Sequence, residues 1–406
     1  MKHAMLTAAL AAAMLTACSP QEYGAQPSRA QLDWHDLEYY MFCHFGPNTF
    51  TDVEWGDGTE DEAVFNPTRF DADQWVDAIK AAGMKGLILT CKHHDGFCMW
   101  DTKTTDYNVM NSGFKGNAKN DVLKYIMDAY RAEGIMPGLY FSKPDWHSEY
   151  YWWPVKATPN RFHNYQIKDY PERWAKYQEY VYKQSYELMH NYGDIDLFWL
   201  DGGWTTAPRE DIKLGEIVKM AREAQPGLIV VERSCPGEFE NYQTPEQSIP
   251  ENQLENPWET CMTLTNDWGW VPRPTFKSPA RVVAVLSEVV AKGGSLLLGV
   301  GPTPEGLIED ESVKRLEVVG KWLEKNGEAI YNTVATPVYT NAERNIWFTA
   351  SKDRKTIYAV VPQTDDAVRM PMEISWEGNT PKKGSKIINL ATRKALKYKV
   401  VDGKTI

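Results

Sequence analysis

Asp201 closes the apolar run "IDLFWLD" and is followed at once by "GGW", so a carboxylate arrives at the end of a segment built to be buried. The same arrangement recurs along the chain. His44 follows "YYMFC", "KHHDGF" (92–97) follows "GLILTC", Tyr140 to Trp146 close "MPGLYF", and Glu232 and Arg233 close "GLIVV". Any one such residue could simply cap the next helix or bond a loop. Five together place carboxylates, imidazoles, a guanidinium and indole rings where a small ligand could meet them. That set suits cleavage of a glycosidic bond, which needs two carboxyl groups and little else. Other chemistries fit less well. His93, His94 and Asp95 offer metal-ligand types, but adjacent residues point in different directions unless the turn bends. No GxSxG elbow marks a serine hydrolase, and no GxGxxG follows the first strand-like run.

The elements that must carry these residues alternate. "FDADQWVDAIKAAG" puts Ala72, Trp75, Val76 and Ile79 on one helical face behind a capping Asp71, and "DVLKYIMDAYRAEG" does the same with Leu123, Ile126, Met127 and Tyr130. Further helices are expected from about 171 to 191, near 210–225 and near 280–293, with "SLLLGVG" as a later strand. Apolar strands without polar alternation, joined by crossover helices, predict a parallel sheet covered on both faces. So many units in one chain predict a (β/α)8-like TIM barrel, whose functional groups gather at the C-terminal ends of its strands.

Composition narrows the partners. The 406 residues carry a formal charge of −11, which argues against nucleic acid and anionic membrane surfaces. Sixteen tryptophans supply flat faces that suit sugars as well as cores. The opening "MKHAMLTAALAAAMLTACSP" reads as an export signal over residues 1–17. Five further cysteines, Cys43, Cys91, Cys98, Cys235 and Cys261, are scattered and dictate no pairing.

The motifs "FGPNTFTDVEWG", "KHHDGFCMWDTKTTDYNV", "FWLDGGW", "NPWETCMT", "GWVP", "GGSLLLGVGPTPEG" and "NGEAIYNT" stand in this order over about residues 35–335. Together they resemble the α-L-fucosidases of glycoside hydrolase family 29. The resemblance implies a retaining exo-hydrolase of terminal α-L-fucose, with no cofactor or metal, acting on a fucosylated oligosaccharide or glycoconjugate. It implies Asp201 as nucleophile. It implies Glu259, in the "WE" motif, as acid/base, with Glu246 as the rival. His44, His93 and His94 match imidazoles that bond the sugar hydroxyls, and Glu54 and Trp55 match an acidic-aromatic pair beside the sugar. Tyr140, Trp199 and Arg233 match strand-end positions, and Trp270 is expected to wall the C5 methyl. One departure is that the commoner "EWY" reads "EWG", followed by the acidic "DGTEDEAVF". The ending "LTAC" resembles a lipobox, which implies a lipid on Cys18, a membrane attachment through that anchor alone, and a periplasmic or outer-membrane location.

After "NGEAIYNT" the pattern changes to short strands divided by Asp, Gly, Pro and Lys-rich turns. The expected organisation is a signal at 1–17, a tether at 18–33, a barrel at 34–335 and a C-terminal β-sandwich at 336–406. Two other functions compete: an inactive glycan-binding lipoprotein on the same fold, and a metal-dependent hydrolase built on His93, His94 and Asp95.

Overall fold

A computed structural model describes residues 27–153, 161–366 and 369–406. The expected signal segment and Cys18 lie outside the described residues. The apolar runs form β1 (Tyr39–Cys43), β2 (Gly86–Lys92), β3 (Met136–Ser142), β4 (Leu197–Asp201), β5 (Ile229–Glu232), β6 (Glu259–Thr263) and β7 (Ser295–Val300). They pair in parallel in the order β5-β4-β3-β2-β1-β7-β6. Between the two edge strands β5 and β6 lies an irregular stretch rather than a regular strand. It bridges Glu240 to Val231 on one side, and Gln243 to Trp258 and Glu246 to Cys261 on the other, so it serves as the eighth stave of the barrel. Its sequence, "ENYQTPEQ", is polar and contains Pro245, which has no N–H to give to a ladder.

Helices cover the outside. α1 (Arg29–His35) precedes β1; α2 (Ala72–Ala81), α3 (Val122–Ala132), α4 (Pro171–Asn191), α5 (Leu214–Ala224), α6 (Pro279–Ala291) and α7 (Asp310–Asn326) follow in turn. Asp71 and Asp121 cap α2 and α3 by accepting backbone N–H groups, and the apolar faces expected for both helices are buried. The helix α1 takes in residues assigned to the tether. Its capping box, Ser28 with Gln31, starts it, and its Trp34 packs into the barrel interior, stacked on Tyr242 at 4.0 Å.

Strand period two decides which side chains enter the barrel. Tyr40, Phe42, Tyr140, Leu197, Trp199, Val231, Cys261 and Leu297 form the interior cluster, whereas Tyr39, Met41, Leu139, Phe198, Leu200 and Val230 join the layer beneath the helices. Continuing that alternation sends Asp201 and Arg233 inward at the strand ends and Glu232 outward, where it meets Lys143 Nζ at 2.8 Å.

Beyond the barrel, β8 (Thr333–Thr340), β9 (Trp347–Ser351) and β10 (Ile357–Val360) make an antiparallel sheet. Shorter ladders follow, with β11 (Trp376–Glu377), β14 (Val400–Val401) and β15 (Lys404–Thr405) in one and β12 (Ile387–Ile388) with β13 (Ala395–Leu396) in the other. Ile346, Phe348 and Trp376 give this β region a small core of its own. It docks on α6, which is apolar nearly all round because it is covered by the barrel on one side and by β8 and β9 on the other.

Candidate active site

A cavity of about 430 Å³ opens at the C-terminal end of the barrel. His44, Glu54, Trp55, His93, His94, Tyr140, Trp199, Asp201 and Arg233, all expected at the site, line it. Asp201 stands at its centre. The Tyr140 hydroxyl donates to Oδ2 at 2.7 Å, the Gly202 N–H donates to Oδ1 at 2.7 Å, and Arg233 Nη1 lies 3.0 Å from Oδ1. Gly202 is required where it is: its φ is +83°, and a Cβ there would meet Pro144 Cδ at 2.3 Å.

Burial acts to raise the Asp201 carboxyl, but Arg233 foremost, with the Tyr140 hydroxyl and the Gly202 N–H, outweighs it and holds the group well below the ordinary carboxylate range. Burial also depresses His44 and His94 well below the ordinary imidazole value and brings His93 down to about 4. The three imidazoles are therefore neutral near neutral pH, and Arg233 is the cation that keeps Asp201 ionised. The tautomer of His94 follows from its neighbour. Ser142 gives its only hydroxyl proton to Pro144 O at 2.6 Å, so at 2.6 Å it accepts from His94 Nδ1–H. His94 Nε2, 3.6 Å from Asp201 Oδ2, is left as an acceptor.

The second carboxyl is not where the "WE" motif was expected to put it. Glu259 is completely buried and does not line the cavity. It opens β6, level with Ser295 at the start of β7, and so belongs to the wrong end of the barrel. The Tyr40 and Tyr242 hydroxyls and, at 3.3 Å, the Trp199 indole N–H all donate to it. Burial pushes its carboxyl up to about 7, a value apt for an acid/base, yet Trp199 and Cys261, not Glu259, face the cavity from this part of the barrel. Reach comes before acidity, and the expectation for Glu259 does not stand. Glu246, the rival, lines the cavity from the irregular stave. One oxygen pairs with Arg233 Nη2 and the other accepts the Trp268 indole N–H at 3.1 Å. Arg233 thus holds both carboxyl groups, one on each of its terminal nitrogens.

Trp270 likewise does not line the cavity; Trp268, two residues earlier, does, 5.3 Å from His44 and 5.6 Å from Phe42. Trp204, Arg161 and Ser234 complete the mouth, and all three lie in loops that carry no periodic signal. Of the trio considered for a metal, His93 and His94 face the cavity while Asp95 does not line it. Among the described residues no group of three or more His, Cys, Asp or Glu side chains could hold a metal ion. Cys43, Cys91, Cys98, Cys235 and Cys261 are all free thiols. No helix among the described residues is long and apolar enough to cross a membrane.

A family model described as Alpha-L-fucosidase matches residues 17–328. The chain belongs to the α-L-fucosidase family. It is similar to Alpha-L-fucosidase 1 of Arabidopsis thaliana, with 28% identity over 347 residues, covering 78% of this chain and 63% of the relative. It therefore spans less than two thirds of that relative's length. Among solved structures, α-L-fucosidase isoenzyme 1 from Paenibacillus thiaminolyticus is 32% identical, covers 79% of this chain with 81% of its own, and superposes with a TM-score of 0.68. A family 29 α-L-fucosidase from Bacteroides thetaiotaomicron, a trapped covalent intermediate in complex with 2-fluoro-fucosyl fluoride, is 23% identical. It covers 95% of this chain with 93% of its own at a TM-score of 0.76 and shares the fold, the C-terminal β region included.

Proposed function

We propose that this α-L-fucosidase family member is a retaining exo-glycosidase that releases terminal α-L-fucose, with Asp201 as nucleophile and Glu246 as acid/base. The observation that carries this reading is the Arg233 guanidinium shared by the two carboxyl groups. Retention requires two carboxyl groups close together, about 5–5.5 Å apart, and Arg233 holds both of these, one on each terminal nitrogen. Asp201, kept ionised, attacks the anomeric carbon as Glu246 gives its proton to the leaving oxygen. The fucosyl ester then carries no charge on Asp201. Glu246 next takes a proton from the water that attacks the anomeric carbon and frees Asp201. The covalent intermediate trapped in the Bacteroides relative supports the same two-step course here.

Substrate recognition follows from unpaired groups. Among the described residues His44 Nδ1 and His93 Nδ1 are buried without a hydrogen-bond partner, and sugar hydroxyls would supply one. The Trp55, Trp204 and Trp268 faces suit the apolar side of a 6-deoxy sugar. A fucosylated oligosaccharide or glycoconjugate is thus the substrate class. A 2-deoxy-2-fluoro-fucosyl donor should label Asp201, and label on another residue would overturn the assignment. Sugar binding without any turnover of an aryl fucoside would instead select an inactive glycan-binding protein. Export with a lipid on Cys18 is part of the same proposal, resting on the N-terminal motif; Cys18→Ala should move the protein from the membrane fraction to the soluble one.

A further inference from the structure

Trp204 and Arg161 stand at the mouth of the cavity, outside the ring of strand-end residues. Trp204 is three positions beyond Asp201, which ends β4, and Arg161 is exposed in the segment after β3. The Trp204 ring reaches from the cavity wall to the rim: its centroid is 5.2 Å from that of His94, and the Arg161 guanidinium lies over it at 5.4 Å. A buried node holds the pair. Glu210 is completely buried, and Tyr151 Oη at 2.9 Å and Thr205 Oγ1 at 2.8 Å both donate to its Oε2. His163, two residues after Arg161, donates Nδ1–H to Oε1 at 2.8 Å. Having given its proton to the carboxylate, Tyr151 Oη accepts the Trp204 indole N–H at 3.3 Å. A buried carboxylate with three donors thus ties the loop after β3 to the loop after β4.

Charge is divided across the mouth. Asp201 and Glu246 share Arg233, and both Glu246 and Glu54 stand beside Trp268, one on its indole N–H and one on its backbone. Arg161 lines the cavity from the Trp204 side, and among the described residues it is in no ion pair. A guanidinium over an indole can take a carboxylate or a sulfate on its N–H groups while the indole takes an apolar face. We propose that Trp204 and Arg161 form a second subsite for the unit to which the fucose is attached, Trp204 stacking on that unit and Arg161 favouring one that carries a carboxylate or a sulfate. The assignment rests on the exo-hydrolase reading: with fucose at Asp201, it is the rest of the glycan that passes through the mouth. The net charge of −11 repels any anion at long range. The preference is therefore local, and it reads as a change on substituting Arg161.

The test uses the full chain and three aryl α-L-fucosides that differ in one ring substituent: a carboxylate, a sulfonate or a neutral carboxamide. Dividing kcat/KM for each anion by that for the carboxamide, and comparing variants with wild type, cancels the intrinsic reactivity of each leaving group. Arg161→Gln should lower this ratio at least about threefold, the scale of one exposed ion pair. Arg161→Glu should lower it further, and Arg161→Lys should keep part of it. The anion that loses more names the source, a carboxylate for an acidic sugar and a sulfonate for a sulfated one. Trp204→Leu should raise KM for all three at least about threefold, as loss of a stacking face does. Ratios that do not fall in Arg161→Gln and Arg161→Glu, or an unchanged KM in Trp204→Leu, would overturn the proposal. Absence of turnover with every fucoside would remove the hydrolase reading instead, and the same ratios, taken from dissociation constants by calorimetry, would then decide the subsite.

Discussion

Asp201 and Arg233 show how far single residues can be read. Both follow apolar runs, and period two turns both inward, so a strand reading is enough to bring them to the cavity. Asp201→Ala should lower kcat/KM by at least about 10³-fold, as loss of a group that acts in concert with others does, with protein that still melts cooperatively. Glu246 and Glu259 separate the two carboxyl hypotheses. Glu246→Ala should cost about 10²–10⁴-fold on a substrate with a poor leaving group, little on one with a good leaving group, and recover with azide. Glu259→Ala should show no azide rescue. It should instead orphan the Tyr40, Tyr242 and Trp199 donors at ~1–3 kcal/mol each, lowering the denaturation midpoint. Azide rescue of the Glu259 variant would restore it as the acid/base. What misled the sequence reading is that the "WE" motif begins a strand rather than ending one. A motif specifies residue types; only strand direction specifies which end of the barrel they reach.

At the scale of elements, helices α2 and α3 were legible down to their buried faces, because a capped amphipathic stripe has a strong local period. The eighth stave was not. It is held by bridges to β5 and β6 rather than by apolar content, so nothing in "ENYQTPEQ" announces a stave, and Glu246 entered only as the rival to Glu259. The rim residues Trp204 and Arg161 were missed for the same reason. Helix packing sets a further condition invisible in sequence: α2 and α7 approach at Gly320, where a Cβ would lie 1.8 Å from the Ala81 carbonyl oxygen. Gly320→Ala must push the helices apart and should cost about 1–3 kcal/mol, read as a lower urea midpoint with an unchanged m-value. An unchanged midpoint would mean that α7 shifts freely on the barrel.

For the whole molecule, stability should depend on pH through carboxyl groups shifted in opposite directions. Burial raises Glu38 and Glu259 to about 7 and Asp95 to about 8. Each of these binds its proton more tightly folded than unfolded, so its contribution is full below the ordinary carboxylate value and is lost as pH rises through the folded one. Asp201 is depressed, so its contribution is present above the ordinary value and is lost only in stronger acid. The thermal midpoint should therefore be higher at pH 7 than at pH 8.5, a range in which the depressed imidazoles are largely neutral both folded and unfolded, and Glu259→Gln should reduce that slope; a midpoint that climbs over this range would contradict the buried carboxyls. The sequence by itself determined the parallel barrel and the antiparallel β region after it, because apolar runs, their caps and their periods are local properties, while the ordered motifs carried the family resemblance and with it most of the expected residues that line the cavity, Asp201 first. Tertiary structure alone decided which carboxyl shares Arg233 with Asp201 and which indole walls the cavity. Those depend on β6 running upward from Glu259 and on a polar stave wedged between two strands, neither of which has a local signature.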